Sequence, residues 1–192
     1  IISFITSLFA PYKKDLDMSG SQSTCDRDED SPFSTMGHQK IVRDYISTYS
    51  PYRGVLLYHG LGSGKTCSSI AIAEGLKTDR QVMVMTPASL RTNYIEELKK
   101  CGDDIYKKNQ YWEFMKVEKE ENEKISALMH ALSLPVETIK KQKGAWLMNV
   151  TKKPNFKDLS SEDKKSIDKQ IDTMIRSKYR FISYNGMRET HL

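Results

Sequence analysis

A glycine-rich loop directly after a short apolar run constrains this chain more than any other feature. Residues 56–66 read LLYHGLGSGKT, so an apolar stretch leads into three closely spaced glycines and then into Lys65 and Thr66. Glycines at these positions let consecutive backbone N–H groups turn inward around a phosphate, which side chains would obstruct. The pattern predicts a strand that ends near Tyr58, a phosphate-binding loop, and a helix over residues 67–76 whose positive end faces the same anion.

The end of the loop carries the residue types that a nucleoside triphosphate requires. The Lys65 ammonium would reach the β- and γ-phosphates, and the Thr66 hydroxyl would bind Mg²⁺. The strict loop pattern has a glycine six positions before the lysine, where this chain has His59. A plain turn between strand and helix is the alternative interpretation. The predicted nucleotide contacts in the loop are Gly60, Leu61, Gly62, Ser63, Gly64, Lys65, Thr66 and Cys67.

Length and composition favour one α/β domain with an elaboration. The chain has 192 residues, of which 38% are hydrophobic and 29% charged. No apolar run approaches the roughly 20 residues that span a bilayer. We expect residues 1–10 to pack on the core, because they lack the basic leader and cleavage site of a signal peptide. The first residue is Ile1, so we expect the chain to be part of a longer protein.

The cysteines and histidines show no metal or disulfide pattern. The three cysteines are widely spaced without a CxxC pair, which favours a reducing compartment over a disulfide framework or a zinc site. The four histidines have no ligand spacing, and we interpret each as an ordinary surface or loop residue. The cysteines are Cys25, Cys67 and Cys101, and the histidines are His38, His59, His130 and His191.

The net charge of +5 is unevenly distributed along the chain. Residues 1–90 hold nine basic and nine acidic side chains, whereas residues 91–192 hold 21 basic and 16 acidic ones. This basic excess permits binding to nucleic acid, and a solvated lysine-rich surface explains it equally well.

Regular elements are predicted on both sides of the loop. Residues 37–49 have helical apolar spacing and carry Gln39 at their start, where the amide could recognise adenine or simply lie near a helix cap. Residues 81–87 predict a second buried strand, and residues 88–102 an amphipathic helix. Two strands joined by a helix of this length form a parallel, right-handed βαβ unit.

Two further motifs follow predicted core strands. Ser89 and Arg91 stand where a helix starts after the second strand, a place at which they could hold a phosphate of a nucleic-acid strand. The alternative is that Ser89 only caps the helix. Residues 179–186 predict another strand, which ends in Ser183, Tyr184 and Asn185.

Residues 103–178 separate these two motifs and are rich in Lys and Glu. Helical spacing predicts a helix around residues 125–132 and a longer one that starts near Ser160 at a capping-box sequence, while residues 144–150 predict a strand. Trp112 and Trp146 are interpreted as buried anchors of a small subdomain rather than platforms for base stacking.

The order of these motifs resembles the first RecA-like lobe of superfamily 2 helicases and translocases. Three sequence segments are similar to the helicase-type ATPases of nucleocytoplasmic large DNA viruses: HQKIVRDYI, YHGLGSGKT and TPASLRTNYIEELKKCGD. This group includes poxvirus early transcription factor and nucleoside triphosphatase subunits. The resemblance implies that Gln39 reads adenine and that the loop binds ATP and Mg²⁺. It also implies a nucleic-acid face formed by Pro87, Ser89, Arg91, Ser183, Tyr184 and Asn185.

The resemblance implies an α/β P-loop lobe with a parallel sheet flanked by helices and a mostly helical insertion. The predicted division is an N-terminal extension at 1–36, the lobe at 37–102 and 179–192, and the insertion at 103–178. No DExH or DExD segment follows Gly186, and the arginine fingers of a second lobe are missing. We therefore expect a fragment that holds nucleotide weakly and hydrolyses it poorly, because phosphoryl transfer needs all these parts together.

The complete protein is expected to be an ATP-dependent helicase or translocase in viral transcription or genome handling. The expected partners are DNA rather than RNA, and RNA polymerase or other viral transcription subunits, with no membrane. The expected location is the virion or the viral factory in the host cytoplasm. Two alternatives stay open, a nucleotide-responsive scaffold module without motor activity and a small P-loop kinase.

Overall fold

A computed structural model describes residues 36–46, 51–76, 81–118 and 120–186, together with five positions between residues 3 and 10. The chain divides into two units, Ile1–Lys77 and Thr78–Leu192. Residues 11–35, which make up most of the predicted N-terminal extension, lie outside the described residues. None of the described helices combines the length and apolar content that a bilayer-spanning segment needs.

In the described part of the first unit, helix α1 (Gly37–Tyr45) packs against helix α2 (Lys65–Leu76). Helix α1 confirms most of the predicted segment, and residues 47–50 lie outside the described part of the chain. A β-carbon at Gly75 of α2 would lie 3.2 Å from Cγ of Arg43 in α1. The absence of a side chain at Gly75 therefore lets the two helices approach closely.

The predicted strand before the loop is wrong. Residues 52–60 have no regular secondary structure, and Leu56 and Tyr58 are 88% and 95% exposed. A strand needs a neighbouring strand to bind its backbone N–H and C=O groups. The ladders among the described strands join other segments, so this apolar run has no such neighbour.

The second unit contains a parallel pair of strands, β1 (Val82–Thr86) and β4 (Tyr179–Ser183). Helix α3 (Arg91–Cys101) follows β1, and helix α6 (Ser161–Lys178) leads directly into β4. The Tyr94 ring of α3 lies edge-on to Phe181 at 5.9 Å. A mixed α/β fold with a parallel sheet flanked by helices was predicted, and it is confirmed. It is consistent with a RecA-like lobe.

The segment between α3 and β4 contains three α-helices and an antiparallel pair of strands, which is called the hairpin below although two of the helices connect its strands. The strands are β2 (Tyr111–Lys116) and β3 (Gly144–Asn149), and the shorter helices are α4 (Asn122–Leu132) and α5 (Val136–Gln142). Predictions of α4, β3 and α6 are confirmed, and the Ser160 hydroxyl caps α6 by accepting from Asp163 N. Strand β2 and helix α5 were not predicted.

Both tryptophans are buried in this segment, which confirms their interpretation as anchors. The Trp112 indole N–H donates to Lys108 O at 2.8 Å, and that of Trp146 donates to Ser166 Oγ at 3.1 Å. Their apolar rings therefore fill the core while each polar N–H group keeps a partner.

Side-chain amides hold the outer edge of each hairpin strand. Asn155 accepts from Trp112 N at 2.8 Å and donates to Trp112 O at 3.0 Å. Gln170 of α6 is fully buried and makes the same pair of bonds to Trp146, at 2.8 and 2.7 Å. Each amide takes the place of a further strand, so the backbone groups of both tryptophans are satisfied at an otherwise open sheet edge.

An ion-pair cluster joins α3 to α6. Lys99 Nζ lies 2.8 Å from Asp172 and 3.5 Å from Asp168, and Lys108 Nζ lies 2.7 Å from Asp168. Burial by itself lowers the pKa of Lys99, but hydrogen bonds to Asp172 and Glu96 outweigh it and raise the pKa above its usual value. The cluster therefore anchors the helix after β1 to the helix before β4.

Candidate nucleotide-binding site

The glycine loop has the conformation that an anion site requires. Gly62 and Gly64 adopt φ angles of +78° and +73°, which L-residues with side chains rarely adopt. The Ser63 hydroxyl donates to Gly60 O at 2.9 Å and closes the turn. Helix α2 starts immediately after Gly64, so its positive N-terminal end opens onto the loop.

The first amides of α2 are available to an anion. The first intrahelical bond runs from Ser68 N to Gly64 O at 2.9 Å. The amides of Lys65, Thr66 and Cys67 precede this bond, as the first N–H groups of any helix do. Successive N–H groups at a helix start form a ready phosphate site.

Lys65 lies across the mouth of the loop. Its ammonium donates to Gly60 O at 2.7 Å and to His59 O at 3.0 Å, and the side chain is exposed. Both acceptors are carbonyls of the loop itself, so a bound phosphate would replace neutral acceptors with charged ones. Charged acceptors form the stronger hydrogen bonds. Lys65 is therefore placed to bind phosphate without a rearrangement of the helix.

The neighbouring predicted contacts differ in exposure. Thr66 is exposed in the first turn of α2, so its hydroxyl is accessible to a hydrated cation. Cys67 is buried, which leaves its backbone N–H as its contribution to the loop. The Leu61 side chain is fully exposed. These positions fit a triphosphate with Mg²⁺ at Thr66, and the individual contacts stay predictions.

The fold brings Gln39 to the loop from 25 positions away in sequence. The side chain is 2% exposed, and its Nε2 donates to Gly64 O at 3.3 Å while its Oε1 accepts from Met36 N at 3.0 Å. A β-carbon at Gly64 would clash with Gln39 Nε2. Gln39 thus contacts the loop and the start of its own helix, and its adenine-reading role stays a prediction.

Sequence reasoning missed His38, which it treated as an ordinary surface or loop residue. His38 Nε2 lies 2.9 Å from Ser63 O, and the ring packs edge-on against His59 at 5.6 Å between centroids. The one available signal was the position of His38 next to Gln39 at the start of a predicted helix. Helix α1 therefore contacts two successive carbonyls of the loop.

The predicted nucleic-acid residues belong to the second unit. Strands β1 and β4 are parallel with Thr86 opposite Ser183, so the residues after both strands leave at the same edge of the sheet. The Arg91 guanidinium lies 5.5 Å from the centre of the Phe181 ring. The two motifs are therefore close together although about 90 residues separate them in sequence.

Most of the remaining predicted residues at this edge are exposed, whereas Pro87 and Ser183 are half-buried. Tyr184 and Asn185 are exposed, and so is Ser89. The N-cap of α3 is Leu90, and the Ser89 side chain makes no hydrogen bond within the described ranges. The interpretation of Ser89 as a helix cap is therefore wrong, and contact of this edge with nucleic acid stays a prediction.

Comparison with known proteins identifies relatives over part of the chain. The chain is 45% identical over 69 residues to "Putative ATP-dependent RNA helicase R563" of Acanthamoeba polyphaga mimivirus, a match that covers 35% of this chain. It is 38% identical over 79 residues, or 38% of its length, to "Putative helicase 009L" of frog virus 3 (isolate Goorha). It is 48% identical over 44 residues, or 23% of its length, to "Putative helicase 087L" of invertebrate iridescent virus 3.

These relatives support a helicase-type family and a helicase-like function. The matches span 12%, 8% and 4% of the three relatives, which are therefore much longer than the matched part. No protein-family model matches the chain, and no solved structure matches it.

Proposed function

We propose that this chain forms the ATP-binding part of the first RecA-like lobe of a superfamily 2 helicase or translocase. The protein acts on DNA, in the transcription or genome handling of a large DNA virus. The conformation of the glycine loop carries the proposal, because two positive φ angles, an exposed lysine and a helix start meet at one place. The helicase names of the viral relatives support the same class.

Different residues of the loop bind different parts of ATP and its cation. The backbone N–H groups of Gly64, Lys65 and Thr66 donate hydrogen bonds to the phosphate oxygens. Lys65 exchanges its two loop carbonyls for the β- and γ-phosphates, and the Thr66 hydroxyl binds Mg²⁺. The cation neutralises charge on the phosphates. Binding and orientation are thus the contribution of this chain to hydrolysis.

The edge beyond β1 and β4 provides the proposed nucleic-acid contacts. Arg91 and Ser89 bind a phosphate of the strand, and Ser183, Tyr184 and Asn185 contact the same strand beside them. Such contacts are polar and charged, as this exposed edge is. The names of the mimivirus relatives specify RNA, so DNA and RNA are compared directly in the tests.

The decisive experiment is nucleotide binding by the 192-residue chain with and without Lys65. Fluorescent ATP is titrated in the presence of Mg²⁺, and we expect Lys65→Ala to weaken binding roughly tenfold to a hundredfold, because a charge-assisted bond is lost. Lys141→Ala is the matched control, since it removes the same charge from an exposed helical position in the second unit. Equal affinities of parent and Lys65→Ala would contradict the proposal.

The same titration separates a motor lobe from a scaffold module. We expect added single-stranded DNA to change the affinity for ATP, because the two ligands are coupled in a helicase lobe. If neither DNA nor RNA changes the affinity for ATP, the result would favour the scaffold module instead.

A further inference from the structure

We propose that His38 is a positioning residue of the nucleotide loop, and this inference rests on the proposed function. Its Nε2–H donates to the Ser63 carbonyl and fixes the orientation of the Ser63–Gly64 peptide group. Beside it, Gln39 binds the Gly64 carbonyl. Two successive residues of α1 thereby hold two successive carbonyls of the loop.

The geometry of the peptide group explains why this matters for phosphate. In a trans peptide the C=O and N–H bonds point in opposite directions, and the described chain has no cis peptide bond. Because the Ser63 carbonyl points toward His38, the Gly64 N–H points away from α1. Because the Gly64 carbonyl points toward Gln39, the Lys65 N–H also points away from α1. Both amides then converge on the anion site.

The two carbonyls are not held equally well. Gly64 O accepts from Ser68 N at 2.9 Å and from Ser68 Oγ at 3.2 Å, in addition to Gln39. Within the described ranges, His38 is the one donor to Ser63 O. Loss of Gln39 therefore leaves the Gly64 peptide anchored by α2, whereas loss of His38 frees the Ser63–Gly64 peptide to rotate.

The His38 ring is held in place by His59, the residue at which the loop departs from the strict pattern. His59 stands where the pattern has a glycine, and its ring is T-shaped to that of His38. Edge-to-face packing of this kind fixes the plane of a ring. The His59 side chain therefore orients His38 toward Ser63, which a glycine at that position would not do.

Two substitutions separate the donor of His38 from its ring. His38→Phe keeps a flat ring against His59 but removes the donor. His38→Gln removes the ring but keeps an N–H donor at nearly the same distance from the backbone. We expect both variants to retain α1, and circular dichroism together with the NMR amide resonances of α1 will check this.

The first measurement needs no nucleotide. We expect the ¹⁵N order parameter of the Gly64 amide to fall from about 0.85 in the parent to below about 0.6 in His38→Phe, and to stay high in His38→Gln. No change in His38→Phe would overturn the inference. Equal loss in both variants would assign the role to ring packing and would also overturn it.

The second measurement is the affinity for fluorescent ATP with Mg²⁺. We expect His38→Phe to weaken binding on the order of fivefold to twentyfold, and His38→Gln to recover most of that loss. An unchanged affinity in His38→Phe would overturn the role in nucleotide binding. If the parent chain binds no ATP while the Gly64 amide still loosens in His38→Phe, the proposed function fails and His38 remains the residue that positions the loop.

Discussion

The nucleotide loop and the hairpin segment are stabilised in different ways. The loop is largely exposed, and few hydrogen bonds to α1 and to its own carbonyls hold it. The hairpin contains two buried tryptophans and two amide-capped strand edges, and an ion-pair cluster joins the neighbouring helices α3 and α6. A single substitution in the loop should therefore change ligand binding with little effect on folding. A single substitution around the hairpin should do the reverse.

The largest loss of stability is expected for Gln170→Leu. This change leaves the buried N–H and C=O of Trp146 without their partners, which costs about 2–4 kcal/mol of the free energy of unfolding. Urea denaturation of the variant measures the loss. Gln142→Leu is the matched control, because the Gln142 side-chain oxygen is buried without a hydrogen-bond partner in the described structure, so its removal should cost little. Equal stability of the two variants would show that the amide cap does not anchor the hairpin.

A smaller loss is expected for Lys99→Met. The Lys99 side chain is 8% exposed, but its partners Asp168 and Asp172 are partly hydrated, so the expected cost is about 1–2 kcal/mol. Lys100→Met is the control, because that exposed lysine pairs with Glu97 within its own helix. Its expected cost is below about 0.5 kcal/mol.

The pH dependence of the Lys99 effect has a definite sign. Folding raises the pKa of Lys99. The stabilisation is therefore complete below the unfolded lysine pKa of about 10.4 and is lost as the pH rises through the folded value. The stability difference between parent and Lys99→Met should shrink in that alkaline range. A difference that persists there would mean that packing, rather than charge, accounts for the effect.

The smallest expected effect concerns the nucleic-acid edge and should leave stability unchanged. Arg91→Ala should weaken binding to single-stranded DNA and lower the slope of log affinity against log salt by about 0.7, the value of one lost phosphate contact. Arg180→Ala removes the same charge from an exposed position on β4 and should keep the parent slope. Identical slopes for Arg91→Ala and the parent would remove this residue from the proposed face, and a parallel RNA titration compares the two substrates.

Sequence patterns identified the elements whose signals are local. Helix α6 combines a capping serine with apolar residues at helical spacing, and β1 is a short apolar run between turn residues. Strand β2 was not predicted because apolar and polar residues alternate imperfectly in its sequence, YWEFMK. Its stability comes from Asn155 and from the partner strand β3. The apolar run at 55–58 had the local signal of a strand, but it pairs with no strand in the described part of the chain.

The amino-acid sequence by itself determined the chemistry of the candidate site. Three glycines, a lysine and a threonine in one short stretch specify a loop that can turn around phosphate, because backbone freedom and side-chain charge are properties of the residues themselves. Tertiary structure decided which distant groups hold that loop. His38 and Gln39 reach the carbonyls of Ser63 and Gly64 because α1 packs on α2. Such contacts depend on the relative position of two helices, for which no local pattern provides a signal.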